Sequence, residues 1–388
     1  MSGRRRILIV FGTRPEAIKL FPLVHALAAD ARLESRVCVT GQHRELLDQV
    51  LTLTGIAPDY DLDIMRAGQS LDSLTSGLLS GLEGVLDEVR PDWVVVQGDT
   101  TTAMAAALSA YYRRIPVCHV EAGLRSGDIH QPWPEEVNRK IVGAIATLHC
   151  APTETAARAL RAENVDPATI HVTGNTVVDA LRWMVARLES QPCLAAGLAE
   201  LETRFAGKRI VGVTCHRRES FGDGMEAIAA AVRRLAARKD VALILPAHLN
   251  PNVRGVMEQR LVGLENVALV APLDYPNFVR LLAVSSLILT DSGGVQEEAP
   301  ALGTPVLVMR ETTERYEGVA AGTAKLIGTD PHRIVAEAER LLNDGAAHAV
   351  MARAHNPFGD GRSAARIVEL LALSRHERMP DQSRPMLT

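Results

Sequence analysis

Several familiar signatures are missing from this chain of 388 residues, and each absence excludes a class of protein. No apolar run approaches the roughly 20 residues that a membrane-spanning helix needs. Ser2-Gly3-Arg4-Arg5-Arg6 leads straight into a strand-like run rather than a signal peptide. The expectation is a soluble, cytoplasmic protein that does not engage a membrane. The five cysteines (Cys38, Cys118, Cys150, Cys193 and Cys215) form no C-x-x-C, and their odd number argues against a disulfide framework or a cysteine zinc site. They read mostly as small buried hydrophobes in a reducing compartment. The twelve histidines show neither H-x-x-x-H nor H-E-x-x-H spacing, so no metal is expected, and no G-x-S-x-G elbow appears. A G-x-G-x-x-G fingerprint is also missing, which removes the main support for a nicotinamide or flavin enzyme. Basic residues show no excess: 42 against 46 acidic ones leave a net charge of −4, so a nucleic-acid partner is not expected.

What is present is regular. Hydrophobic residues make up 47% and charged residues 23%, enough apolar material for two ordinary globular cores in a chain of this length. Short apolar runs alternate with longer helical patterns. Ile7-Leu8-Ile9-Val10-Phe11, ended by Gly12, has the continuous hydrophobicity of a strand covered on both faces. Arg36–Thr40, Trp93–Val96 and Pro116–Val120 are further strands, with helices over Ala17–Ala29, Leu71–Val89 and Ala103–Arg113 between them. The pattern restarts at Ile210–Thr214 and continues through Val241–Leu245, Val267–Val270, Leu287–Thr290 and Pro305–Met309. The fold class is therefore α/β, with two Rossmann-like doubly wound domains. Residues 1–174 and 175–363 form the two halves, with a hinge near Gly174-Asn175. Residues 364–388 carry a final helix, which the pattern alone assigns to neither half, and a polar tail.

In open α/β sheets ligands bind beyond the carboxyl ends of the strands, so the strand exits hold the candidate chemistry. Gly12-Thr13-Arg14-Pro15-Glu16 is the first exit, where Thr13 and Glu16 have capping-box spacing. Arg14 and Lys19 there suit an anion, or form a solvated basic pair. Asp99, in Gln97-Gly98-Asp99-Thr100, is a catalytic acid or the cap of the next helix. Glu121 follows the strand that ends in His119-Val120, and Trp133-Pro134-Glu135-Glu136 opens a helix in which either acid also suits the helix dipole. Three acid-bearing exits on one sheet edge point to proton removal and return, because burial and repulsion split the pKa values of neighbouring carboxyls. In the second half, Cys215-His216-Arg217-Arg218-Glu219 brings a histidine and forked donors that suit a diphosphate. Thr290-Asp291-Ser292-Gly293-Gly294-Val295-Gln296-Glu297-Glu298 turns from a strand into a helix through two glycines, which favours a nucleotide, with Glu297 or Glu298 reaching for ribose hydroxyls. Of Arg310 and Arg315 at the next exit, at least one is expected on the exposed surface. His248 reads as a structural loop residue, and the role of His43 is open.

Taken together, Phe11-Gly12-Thr13-Arg14-Pro15-Glu16-Ala17, Gly98-Asp99-Thr100-Thr101, His119-Val120-Glu121-Ala122-Gly123-Leu124-Arg125, Pro134-Glu135-Glu136, His216-Arg217-Arg218-Glu219 and Asp291-Ser292-Gly293-Gly294 resemble the non-hydrolysing UDP-N-acetylglucosamine 2-epimerases, from about Ile7 to about Leu371. The resemblance implies a glycosyltransferase-B type architecture, with the active site in the cleft between the domains and the last helix crossing back to the first. It also implies a homodimer, no redox cofactor and no obligatory metal. Asp99, Glu121 and Glu135 match the family's catalytic acids, and His216 the histidine beside the scissile phosphate. Arg14, Lys19, Phe278, Ser292, Gly293, Gly294, Glu298 and Arg315 match positions that bind the UDP-sugar substrate. Gln42 and His43 match part of a site for a second, activating UDP-GlcNAc, although Glu45 replaces a glutamine found there in some members. Gln97 stands where some relatives carry histidine. The implied activity is reversible epimerisation to UDP-N-acetylmannosamine through a 2-acetamidoglucal, supplying cell-surface polysaccharide synthesis. A hydrolysing epimerase and a UDP-sugar glycosyltransferase are the alternatives.

Overall fold

A computed structural model describes residues 4–41, 44–66, 68–217, 221–246 and 251–374. Gln42, His43, Arg218, Glu219 and His248 lie outside the described residues, so the candidate activator site is not described. The chain divides into two compact units. Unit 1 holds residues 1–180 and 361–388, and unit 2 holds residues 181–360.

In unit 1 the elements run β1 (Arg5–Phe11), α1 (Arg14–Ala29), β2 (Leu33–Val39), α2 (Arg44–Thr54), β3 (Tyr60–Asp61), α3 (Leu71–Val89), β4 (Trp93–Gln97), α4 (Thr101–Tyr112), β5 (Val117–Val120), α5 (Glu135–Ile145), β6 (Leu148–Ala151), α6 (Glu154–Ala162), β7 (Ile170–Val172) and the start of α7 (Thr176–Ser190). All strand pairs are parallel, in the order β3-β2-β1-β4-β5-β6-β7. Successive residues of β1 face opposite sides of the sheet. Ile7, Ile9 and Phe11 pack with Leu20, Leu23 and Leu27 of α1, whereas Leu8 and Val10 pack with Leu78, Leu82 and Ala106 on the other face. Strands covered on both faces must be apolar throughout, which is why β1 and β4 read as unbroken hydrophobic runs.

Unit 2 repeats the plan with α8 (Ala196–Arg204), β8 (Arg209–Thr214), α9 (Asp223–Leu235), β9 (Val241–Pro246), α10 (Pro251–Leu261), β10 (Val267–Val270), α11 (Tyr275–Val284), β11 (Ser285–Thr290), α12 (Val295–Ala301), β12 (Val306–Val308), α13 (Tyr316–Ala321), β13 (Ala324–Leu326), α14 (Pro331–Asn343) and α15 (Gly345–Ala352). Its parallel sheet is ordered β10-β9-β8-β11-β12-β13. The final helix, α16 (Ser363–Leu373), buries Ala364, Ile367, Val368 and Leu371 against the α1 side of the unit 1 sheet. Asp179 caps it, accepting from the backbone N–H groups of Ser363 (3.2 Å) and Ala364 (2.9 Å).

Two details differ from the sequence pattern. The division between units falls inside α7, a continuous helix, rather than at Gly174-Asn175 just before it. The sheets also gain β3, β6, β7 and β13, of two to four residues each. Such short strands carry too few apolar positions to show a period.

In both sheets the strand order reverses beside the first strand, between β1 and β4 and between β8 and β11. Neighbouring chains diverge to opposite faces there, and the exits are left open to a ligand.

Candidate active site

In unit 1 the exits of β1, β4 and β5 are locked to one another. Thr13 caps α1 and Glu16 completes the capping box, as the spacing predicts. Glu16 does more than cap. Its buried carboxylate accepts from the N–H groups of Gly12 (3.1 Å) and Thr13 (2.8 Å) and from the Thr100 hydroxyl (2.6 Å), tying the first exit to the second. Burial pushes its pKa up, against those hydrogen bonds and one from the Thr13 hydroxyl (2.8 Å). Thr100 in turn caps α4, accepting from Ala103 N–H at 3.0 Å. The cap of α4 is therefore Thr100, and Asp99 is left for other work.

Asp99 follows Gly98, which has φ +66° and turns the chain out of β4. One face of α5 holds it: Arg139 pairs with the Asp99 carboxylate, and Asn138 Nδ2 donates to the Asp99 carbonyl at 3.0 Å. Arg139 also reaches Glu136 at 3.1 Å, whose fully buried carboxylate accepts from Ser126 N–H at 3.1 Å. Glu136 is thus an anchor for the loop before α5. Glu135 is half-buried, and the described residues make no hydrogen bond to its carboxylate.

Glu121 stands directly after β5 with φ +60°. For a residue with a β-carbon this left-handed conformation costs on the order of 1–3 kcal/mol, a strain that collects at functional sites. Cationic and amide donors hold it. Lys19 Nζ lies 2.6 Å from Oε1 and 2.8 Å from Oε2, Asn175 Nδ2 donates to Oε1 at 2.8 Å, and the Gln97 amide donates to Oε2. Lys19 therefore finds its anion within unit 1, in Glu121. Behind them, His119 is buried and its Nε2 lies 2.8 Å from the Gly98 carbonyl, bracing the turn that presents Asp99. Arg14 is half-buried at the β1 exit. Gln97 is half of the amide pair on Glu121, and neither Asn175 nor Arg139 stands in a strand-exit motif. Sequence reasoning named none of the three as a site residue.

In unit 2, buried Asp291 joins the exits of β8 and β11. Its Oδ2 accepts from the N–H groups of His216 (2.7 Å) and Arg217 (2.8 Å), and its Oδ1 lies 3.3 Å from His216 Nδ1. Thr290 hydroxyl accepts from Ser292 N–H at 2.9 Å and shapes the turn into Gly293-Gly294. A β-carbon at Gly293 would lie 3.6 Å from Arg217 Nη2 and 4.0 Å from Arg315 Cζ, so this glycine keeps a space between two guanidinium groups clear. Helix α12 has only seven residues, so the turn and its arginines, not a long helix dipole, characterise this exit. Glu297 points inward and pairs with Arg315, leaving Glu298 as the half-buried acid of the pair. Arg310 has 5% side-chain exposure and Arg315 16%, so the expectation of an exposed surface arginine is overturned. Both are drawn in by carboxylates, Glu314 for Arg310 (3.5 Å) and Glu297 for Arg315. Phe278 lies half-buried on α11. Among the described residues no group of histidine, cysteine and acidic side chains has metal-binding geometry, and no helix is long and apolar enough to cross a membrane.

Two doubly wound sheets, one with carboxylates at its switch point and the other with arginines around a Gly-Gly turn, define an α/β protein whose candidate chemistry lies at its strand exits. Residues 25–372 match the family model of UDP-N-acetylglucosamine 2-epimerase. The UDP-N-acetylglucosamine 2-epimerase of Salmonella typhimurium is 55% identical over 368 residues, 94% of this chain and 98% of that protein. The crystal structure of the UDP-GlcNAc 2-epimerase of Neisseria meningitidis bound to UDP-GlcNAc superposes with a TM-score of 0.85 at 44% identity, covering 94% and 99% of the two chains. That of Methanocaldococcus jannaschii in complex with UDP-GlcNAc and UDP gives 0.78 at 33% identity, covering 95% and 100%. The chain belongs to the UDP-N-acetylglucosamine 2-epimerase family, and it is an isomerase with that activity.

Proposed function

We propose that this enzyme interconverts UDP-N-acetylglucosamine and UDP-N-acetylmannosamine without hydrolysis, by eliminating UDP and adding it back. The observation that carries this reading is the carboxylate cluster of unit 1: Asp99 and Glu121 at adjacent strand exits, each held by cationic and amide donors, with Glu135 opening α5. A carboxylate takes the proton from the carbon bearing the acetamido group as the bond from the anomeric carbon to the UDP oxygen breaks, giving a 2-acetamidoglucal. UDP then attacks the anomeric carbon while a proton is delivered to the opposite face of its neighbour. The sum is an isomerisation, with no net gain or loss of protons or electrons.

The two ends of the substrate make different demands. Carbon acidity at the sugar calls for positioned carboxylates, which Asp99, Glu121 and Glu135 supply. The developing charge on UDP calls for oriented donors, which His216 and the arginines around Gly293 supply. Ser292, Gly293, Gly294, Glu298, Arg315 and Phe278 complete the proposed nucleotide site of unit 2, and in unit 1 Arg14 and Lys19 are proposed to bind the substrate. No redox cofactor or metal enters the scheme, and the active form is proposed to be a homodimer. Supply of cell-surface polysaccharide synthesis belongs to the same proposal.

Incubating the enzyme with UDP-N-acetylglucosamine alone in deuterium oxide tests the reading by NMR. The expected product is UDP-N-acetylmannosamine with deuterium on the carbon bearing the acetamido group. Free N-acetylmannosamine accumulating with UDP would establish the hydrolysing alternative instead. A product that keeps its original hydrogen would refute elimination.

A further inference from the structure

Around Gly293 the cations are not alone. Glu314 Oε2 lies 3.5 Å from Arg310 Nη1 and 4.0 Å from Arg217 Nη2, and it would stand 4.0 Å from a β-carbon at Gly293. We propose that Glu314 is a built-in counter-ion of this cradle, a carboxylate that occupies the arginine cluster while no nucleotide is bound and gives way to the diphosphate. The inference rests on the reading that unit 2 binds the UDP moiety.

The two carboxylates beside the cradle differ in kind. Glu297 has 3% side-chain exposure and is paired with Arg315, on a helix packed into the unit 2 core. It is a permanent anchor. Glu314 has 40% side-chain exposure, sits in the loop before α13, and makes its ionic contacts at 3.5 and 4.0 Å rather than as a tight fork. It can swing into water at little cost. Burial raises the Glu314 carboxyl, but the fields of Arg310, Arg217 and Arg315 outweigh that and hold it below the ordinary carboxylate range. It is therefore ionised at neutral pH. A diphosphate brings more charge and more acceptor oxygens to the same guanidinium groups, so it displaces the carboxylate and takes over its partners. Binding then exchanges one anion for another, which lowers net affinity for the UDP moiety and favours release of the UDP-sugar product between turnovers.

Calorimetric titration of the full-length wild type, Glu314→Gln and Glu314→Asp with UDP, and with uridine as a phosphate-free control, tests this. Glutamine keeps the size but removes the competing charge. A half-exposed ion pair is worth about 0.2–1 kcal/mol, so Glu314→Gln should bind UDP about 1.4- to fivefold more tightly. Uridine affinity should not change, Glu314→Asp should stay near wild type, and the gain should shrink as salt is added. Equal or weaker UDP binding in Glu314→Gln would mean that the residue organises the arginines, and would overturn the proposal. So would a gain shared by Glu314→Asp, since charge would not be the cause. A wild type that binds no UDP would instead sink the assignment of unit 2, and this inference with it.

Discussion

Replacing His119 measures how strongly the interior of unit 1 resists a proton. The side chain is 1% exposed on β5, and the Gly98 carbonyl at 2.8 Å must accept, so Nε2 carries the hydrogen. Its Nδ1 is buried, with no hydrogen-bond partner among the described residues. Burial pushes the imidazole from the ordinary 6.5 down to about 3, against the opposing pull of the Gly98 carbonyl. The unfolded chain takes up this proton near 6.5 and the folded one only near 3. The stability due to neutral His119 is therefore fully present above pH 6.5 and is lost as the pH falls towards 3. Each unit in that window costs about 1.4 kcal/mol, or roughly 5 kcal/mol across the whole of it. Buried His149 is shifted in the same direction and adds to the wild-type slope, so the comparison has to be made between variants. Urea unfolding at several pH values, for wild type and His119→Gln, provides it. Between pH 4 and 6 the wild type should lose about 1.4 kcal/mol more per unit than the variant, the signature of one proton. Equal slopes would refute a neutral, buried His119. The same variant loosens the turn before Asp99, so its turnover at pH 7 should fall further than its affinity for substrate.

Asp99→Asn, Glu121→Gln and Glu135→Gln should each lower turnover by about 10²–10⁴-fold while circular dichroism stays unchanged, and wild-type turnover in any one would remove that residue from the proton-transfer set. Gly123→Ala would put a β-carbon 2.3 Å from the Ala156 carbonyl oxygen at φ +91°, whereas Gly127, at φ +83°, has nothing within 4 Å. Overpacking of this kind costs about 1–3 kcal/mol beyond the backbone strain both variants share, so Gly123→Ala should melt clearly below Gly127→Ala, and matching melting temperatures would contradict the close approach of α6.

Much of this protein is written locally. The apolar runs of β1 and β4, the Thr13–Glu16 box and the Gly293-Gly294 turn are each set by a handful of consecutive residues, because burial on both faces, capping and tight turning are short-range demands. The motifs at the strand exits named the family for the same reason. The partners of those motifs are another matter. Gln97, Asn175 and Lys19 meet on Glu121 from 24, 54 and 102 positions away in the chain, and Arg139 reaches Asp99 from 40. Glu314 reaches Arg217 across 97 residues, 314 − 217. Which exits lie side by side follows from the strand order β2-β1-β4-β5, and strand order arises from long-range pairing that no local period encodes. The inward turn of Arg310 and Arg315 belongs here too: an arginine is exposed by default, and only a carboxylate brought to it by the fold makes its burial tolerable.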